Sequence, residues 1–204
     1  QNTHSIGLVH NLLGEDNPYH DKFSNYSLSM LRGGVRVEDG IIYPNGGQLF
    51  ISSPDMEIIN KICMSLIYGK EFKLRDMELE SWTVEDIKVH SDYDIIHTLS
   101  PILLKDEGKR ITFEDANFIE RLNIQSLAKL QKNGLTPKEL KGFVIKPFHF
   151  EKAKVERPKI RNVVNPSSKV MLVVEGTPTA RKMLYGMGLG NSTGCGFGAV
   201  KVRM

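Results

Sequence analysis

"GMGLGNSTGCGFGAVKVRM", residues Gly186 to Met204, places glycine at 186, 188, 190, 194, 196 and 198 and then turns strand-like. Each glycine loses more conformational freedom on folding than any other residue, so this density needs a reason. Just ahead lies "EGTPTARKMLYGMG" (Glu175–Gly188), where Thr177 followed by Pro178 has the form of a helix cap and first helical residue. Behind the glycines, Phe197–Val202 alternates as a strand. The order is helix, glycines, strand. A dinucleotide fingerprint runs strand, glycines, helix, with an acidic residue about twenty positions on. A P-loop needs Gly-Lys-Ser/Thr. Neither fits. Two readings remain, a flexible helix-to-strand connection and a backbone-binding loop whose amides, uncovered by side chains, suit phosphate oxygens; so many glycines with Asn191 and Ser192 interleaved favour the second. Its candidates are Gly186, Gly188, Gly190, Asn191, Ser192, Gly194, Gly196 and Gly198.

Working outward, the preceding residues read as strand Ile95–Leu104, turn Lys105–Arg110, helix Phe113–Asn133 stopped by Gly134, and strands Gly142–Phe150 and Val170–Glu175. The first half repeats the theme. Ser5–Leu13 has helical spacing, and Tyr26–Val37 turns at "EDG" (Glu38–Gly40) into Ile41–Ser52. A helix Asp55–Tyr68 follows a Ser53–Pro54 cap, and Glu71–Val89 reads as an interrupted strand. This is an α+β chain of two units, residues 1–93 and 94–204, each expected to adopt the βαββαβ ferredoxin-like order also used by RNA-recognition domains. The first unit lacks its opening strand, which is expected to precede Gln1.

Composition narrows the partner. Of 204 residues, 40% are hydrophobic and 25% charged, as in ordinary globular domains. No apolar run approaches a membrane span. Cys63 and Cys195 cannot form a disulfide framework, which fits a reducing cytoplasm. Cys63 reads as a buried small hydrophobe. Net charge is only +3, but "KAKVERPKIRNVVNPSSK" sets Lys152, Lys154, Arg157, Lys159, Arg161 and Lys169 against one glutamate. Such a block suits a polyanion.

The glycine stretch resembles the C-terminal signature of the RAMP superfamily, in particular the CRISPR repeat-processing endoribonucleases. "HTLSPILL" (His97–Leu104), "GFVIKPFHF" (Gly142–Phe150) and "NYSLSML" (Asn25–Leu31) resemble that family's strands. The resemblance implies two tandem ferredoxin-like domains and CRISPR repeat RNA as partner. Further effector subunits and a second copy of the chain are compatible. It implies no cofactor and no metal. It also implies cleavage of precursor guide RNA by its own 2′-hydroxyl, leaving a 2′,3′-cyclic phosphate and a 5′-hydroxyl. That chemistry needs a base, an acid and positive charge at the phosphorane. "VHNLLGEDNPYHDKFSNYSL" (Val9–Leu28) offers these types together. By resemblance His20 is the general base, with His10, Lys22 and the strand-opening Tyr26 assisting. A non-catalytic guide-RNA-binding subunit would need neither histidine. A generic pair of RNA-recognition domains would expect exposed sheet aromatics, for which this chain offers Phe148 and Phe150. His97 and His149, in apolar strands, read as structural.

Overall fold

The computed structural model describes residues 2–14, 25–38, 40–69, 72–74, 77–160 and 162–203. Helix α1 (Asn2–Leu13) forms where Leu8, Val9, Leu12 and Leu13 fall on one stripe, and all four are buried. Gly14 ends it at φ +93°, its N–H donating to the His10 carbonyl. Helix α2 (Met56–Ile67) packs Ile58 and Ile62 against that stripe together with Tyr26, Leu28 and Leu74. Its cap differs from expectation. Asp55 accepts from the Glu57 N–H, while Ser53 accepts from the Asp55 N–H and donates to the Asn25 carbonyl. Strands here are short. Ser27–Leu28 pairs with Ile51–Ser52, and Val35–Val37 pairs with Gly40–Ile42 around the expected turn. The expected strand Glu71–Val89 is reduced to Lys73–Leu74 against Met77–Glu78. Residues 79–92 then run without a ladder, and Ile87 and Val89 pack on the core of the next half.

The second half is built on one sheet. Strands Tyr93–Thr98, Val144–Phe148, Met171–Glu175 and Val200–Val202 are all antiparallel and lie second-third-first-fourth across it. Helix α3 (Phe118–Lys132) lies between the first and second strands, and α4 (Pro178–Met187) between the third and fourth. The element order is therefore βαββαβ. Alternation explains the packing. Ile96, Ile145, Leu172 and Val174 are buried beneath Phe118, Leu122, Leu130 and Leu184 of the helices. Each such side chain contributes ~1.5–3 kcal/mol when fully buried. Thr177 caps α4 as expected, its Oγ1 accepting from the Ala180 N–H at 3.2 Å, with Pro178 opening the first turn. Helix α3 begins at Phe118 rather than Phe113, because Asp115 Oδ2 accepts from the Thr112 N–H and holds a turn there.

A charged group sits in the dry part of this half. Arg181 and Asp94 are both fully buried and paired at 2.7 Å. Asp94 also accepts from the Tyr185 hydroxyl and the His90 N–H, and Arg181 donates to the carbonyls of Gly176, His90 and Ser91. Every polar atom of the pair is thus engaged, the condition for keeping charge inside. Burial, followed by the Asp94 carboxylate, pushes the Tyr185 phenol well above its ordinary range.

Among the described residues no helix is long and apolar enough to cross a membrane. Both cysteines are free thiols and half-buried.

Candidate functional site

The glycine segment is the first surprise. Gly186, Gly188, Gly190, Gly194, Gly196 and Gly198 are all buried. A Cβ on Gly198 would lie 1.8 Å from the Leu189 carbonyl oxygen, and one on Gly190 2.4 Å from that of Leu103. One on Gly186 would meet the Pro54 nitrogen at 2.5 Å, and one on Gly188 the Ser27 Cβ at 2.7 Å. The Gly196 and Gly198 N–H groups already donate to the carbonyls of Thr193 and Pro101. At Gly186, Gly190 and Gly198 backbone passes against backbone, so packing of the chain on itself accounts for these three, whereas the expectation was of a cradle of uncovered amides. They also join the halves: Thr193 Oγ1 donates to the Tyr26 carbonyl at 3.2 Å, and Ser52 Oγ to that of Gly186. Behind them, the buried Lys129 of α3 reaches the Gly188 carbonyl with Nζ at 3.1 Å. Desolvation pulls that ammonium down to about 7. Asn191 is engaged by the chain, its Oδ1 accepting from the Lys105 N–H and its own N–H donating to the Leu103 carbonyl, while Ser192 is exposed in the left-handed conformation.

The candidate catalytic cluster is partly in view. His10 lies in the last turn of α1, half-buried at the margin of the apolar stripe. His20 and Lys22 lie outside the described residues. Tyr26 is 2% exposed, and burial followed by the nearby Cys195 raises its phenol to about 12. It packs in the first core, so the described structure shows it as a packing residue.

The basic block folds into an arm. Lys154–Glu156 pairs with Ser167–Lys169, and Lys159–Ile160 with Val163–Val164. Lys152, Lys154, Arg157 and Lys159 are exposed along it, beside Val163 and Val164. Arg161 lies outside the described residues. Lys169 is partly neutralised by Glu156 at 3.5 Å.

A second cationic surface was not foreseen. On the sheet face opposite the helices, Lys201, His97, Met171 and Phe148 form one cross-strand row by register. Arg203 continues the last strand, its N–H bonded to the Ile95 carbonyl. From the first half comes Arg32, lying 5.8 Å from the Phe50 ring centre. His97 registers the assembly. Its imidazole is pulled below the ordinary range first by partial burial and then by Arg32, Lys201, Arg203 and Lys169. Cations from both halves thus converge on one histidine, in a field that attracts polyanions. The signal was legible only as alternation: Val200 and Val202 point to the core, so Lys201 and Arg203 must point away.

The family model described as "CRISPR associated protein Cas6, C-terminal" matches residues 83–202. The chain is 28% identical over 165 residues to the CRISPR-associated endoribonuclease-like protein Cas6nc of Pyrococcus horikoshii, spanning 76% of this chain and 67% of that protein. It is 27% identical over 197 residues to CRISPR-associated endoribonuclease Cas6 1 of Methanocaldococcus jannaschii, spanning 88% and 73%. In fold it is similar to "CRISPR associated protein Cas6" (TM-score 0.79, 21% identity, covering all of this chain and 91% of that one). It is equally similar to "An RAMP protein binding different RNA substrates" (TM-score 0.80, 22% identity, covering 100% and 90%).

Proposed function

This chain belongs to the CRISPR-associated Cas6 family, and on that premise we propose that it is an endoribonuclease that binds CRISPR repeat RNA and cuts precursor guide RNA within each repeat. The observation that carries RNA binding is the meeting of Arg32 with Lys169, Lys201 and Arg203 around His97, beside an arm of exposed cations. Phosphates neutralised there release condensed counterions, so binding weakens steeply with salt. We read the chain as two ferredoxin-like domains in tandem, residues 1–93 and 94–204. The βαββαβ order of the second half supports this for that half.

The cut needs no metal in this reading. His20 takes the proton from the ribose 2′-oxygen, which attacks the adjacent phosphorus. The P–O5′ bond breaks, and the leaving oxygen takes a proton from an acid, for which His10 is the candidate. The products are a 2′,3′-cyclic phosphate and a 5′-hydroxyl end. Lys22 offsets charge as it builds on the phosphorane oxygens. Helix α1, fixed by its buried stripe, gives His10 a set position for this task. His20→Ala should slow single-turnover cleavage of the host repeat by roughly 10²–10⁴-fold, the usual contribution of a positioned base, while leaving RNA affinity nearly unchanged. EDTA should have no effect, and a 2′-deoxy nucleotide at the cut should stop the reaction. Cleavage that survives loss of both His10 and His20 would assign the chain to guide-RNA binding without catalysis.

A further inference from the structure

The sheet's outer edge carries a feature the cutting reaction does not use. Phe148 ends the edge strand, in the row that crosses the open face through Met171 and His97 to Lys201. His149 follows it in the left-handed conformation at φ +49° and ψ +49°, an unfavourable backbone for a residue with a Cβ. The two rings meet edge to face, with centres 4.2 Å apart. Phe150 then turns inward, packing on Phe113 and Phe118. The backbone is fixed on both sides of this reversal: the Lys152 N–H donates to the His149 carbonyl, and the Ala153 N–H to that of Phe150. The imidazole is held too. Its Nδ1 lies 2.7 Å from a Glu151 carboxylate oxygen. An ionised carboxylate only accepts, so Nδ1 carries the proton. Yet the His149 side chain is 46% exposed. An apolar strand residue with a structural role would be turned inward. Here Phe150 takes that place and His149 is held outward.

Rigid, outward rings beside cations are what an unpaired nucleobase stacks on. Lys152 and Lys154 follow the pair at the root of the basic arm, while Lys201 and Arg203 belong to the opposite edge strand, about 14 Å across the open face. We propose that Phe148 and His149, braced by Glu151, form a stacking platform for one unpaired base of bound RNA, joining the open sheet face to the arm. The inference rests on the RNA-binding reading above and adds a preference for single-stranded over paired RNA at this edge.

The test uses the full chain, a labelled oligouridine 12-mer and a blunt 12-base-pair RNA duplex. His149→Ala and Phe148→Ala should each weaken oligouridine binding by about 5- to 150-fold, the range for losing one stacked base. Duplex binding should change far less. For Phe148→Ala the dependence of affinity on salt should keep its slope, because no phosphate contact is lost. His149→Gly separates recognition from folding. Glycine accepts the left-handed backbone, so this variant should unfold no earlier than the parent and still lose oligouridine affinity. His149→Tyr should restore much of it. If the parent binds neither RNA, the RNA-binding reading itself fails. If the parent binds oligouridine and His149→Gly binds equally well, or if single strand and duplex weaken together, the platform is overturned and RNA binding stands.

Discussion

In the second half four strands share one ladder, whereas in the described part of the first half strands meet only in pairs. The cores differ in the same way. The first is a helix stripe closed by Tyr26, Leu28 and Leu74; the second adds a buried ion pair to a continuous sheet-and-helix core. Apolar side chains are exposed on both halves, among them Tyr93, Ile124, Val163 and Val164 of the second. Val35, Ile41, Ile42, Met56, Ile67 and Tyr68 of the first half stand in solvent. One half is over-determined by cross-strand register and buried charge. The other relies on two packed helices and short paired strands. The proposed proton chemistry thus falls on the half whose described strands meet only two by two.

The sharpest way to break this contrast is through the buried pair. Arg181→Met strands the Asp94 carboxylate among apolar neighbours and should cost about 3–5 kcal/mol, read from the urea midpoint. Removing Asp94 as well should recover much of it, since no lone charge then remains. Glycines give the next comparison. Gly198→Ala forces a methyl onto the Leu189 carbonyl at φ +63° and should cost about 2–5 kcal/mol. Gly14→Ala, at φ +93° in open space, should cost only the backbone strain of about 1–2 kcal/mol.

Lysine 129 sharpens the contrast with pH. Its folded-state value of about 7 lies below the ordinary 10.5, so folding releases a proton between those limits. Stability should therefore climb from pH 7 toward 10, by about 1.4 kcal/mol per unit in mid-window, with no contribution to the slope below 7. Lys129→Met should flatten that rise in denaturant midpoints measured across pH. The smallest effect belongs to the first half's surface. Ile67, 62% exposed, should tolerate Ile67→Ser within about 0.5 kcal/mol.

Much of the architecture could be read ahead of the coordinates because its signals are local. Thr177–Pro178 announced α4, "EDG" announced a hairpin, and alternation marked all four strands of the large sheet. Residues 79–92 misled because period-two patterning reports extended backbone, not a neighbour to pair with. Ile87 and Val89 satisfy the pattern by lying on another unit's core. His149 misled in the same way: a strand-like neighbourhood does not reveal a residue held in the left-handed region. The site was legible only where it is contiguous, as in the arm. Arg32, His97, Lys169 and Lys201 come from distant segments, and only the strand order 2-3-1-4 brings the last three together. Glycine content announced that Cβ atoms were unwelcome. It could not say whether a ligand or the chain itself excluded them.

The close passages at Gly186 and Gly188 set how near the two halves can come. A residue without a side chain is the thinnest spacer a protein can place between surfaces, and any other acts as a shim. The gap between Arg32 on one side and Lys201 with Arg203 on the other is therefore gauged at a place that bears no charge. The reach of the field across that gap falls off with distance and with salt, so its strength is calibrated by mechanical fit at a remote seam.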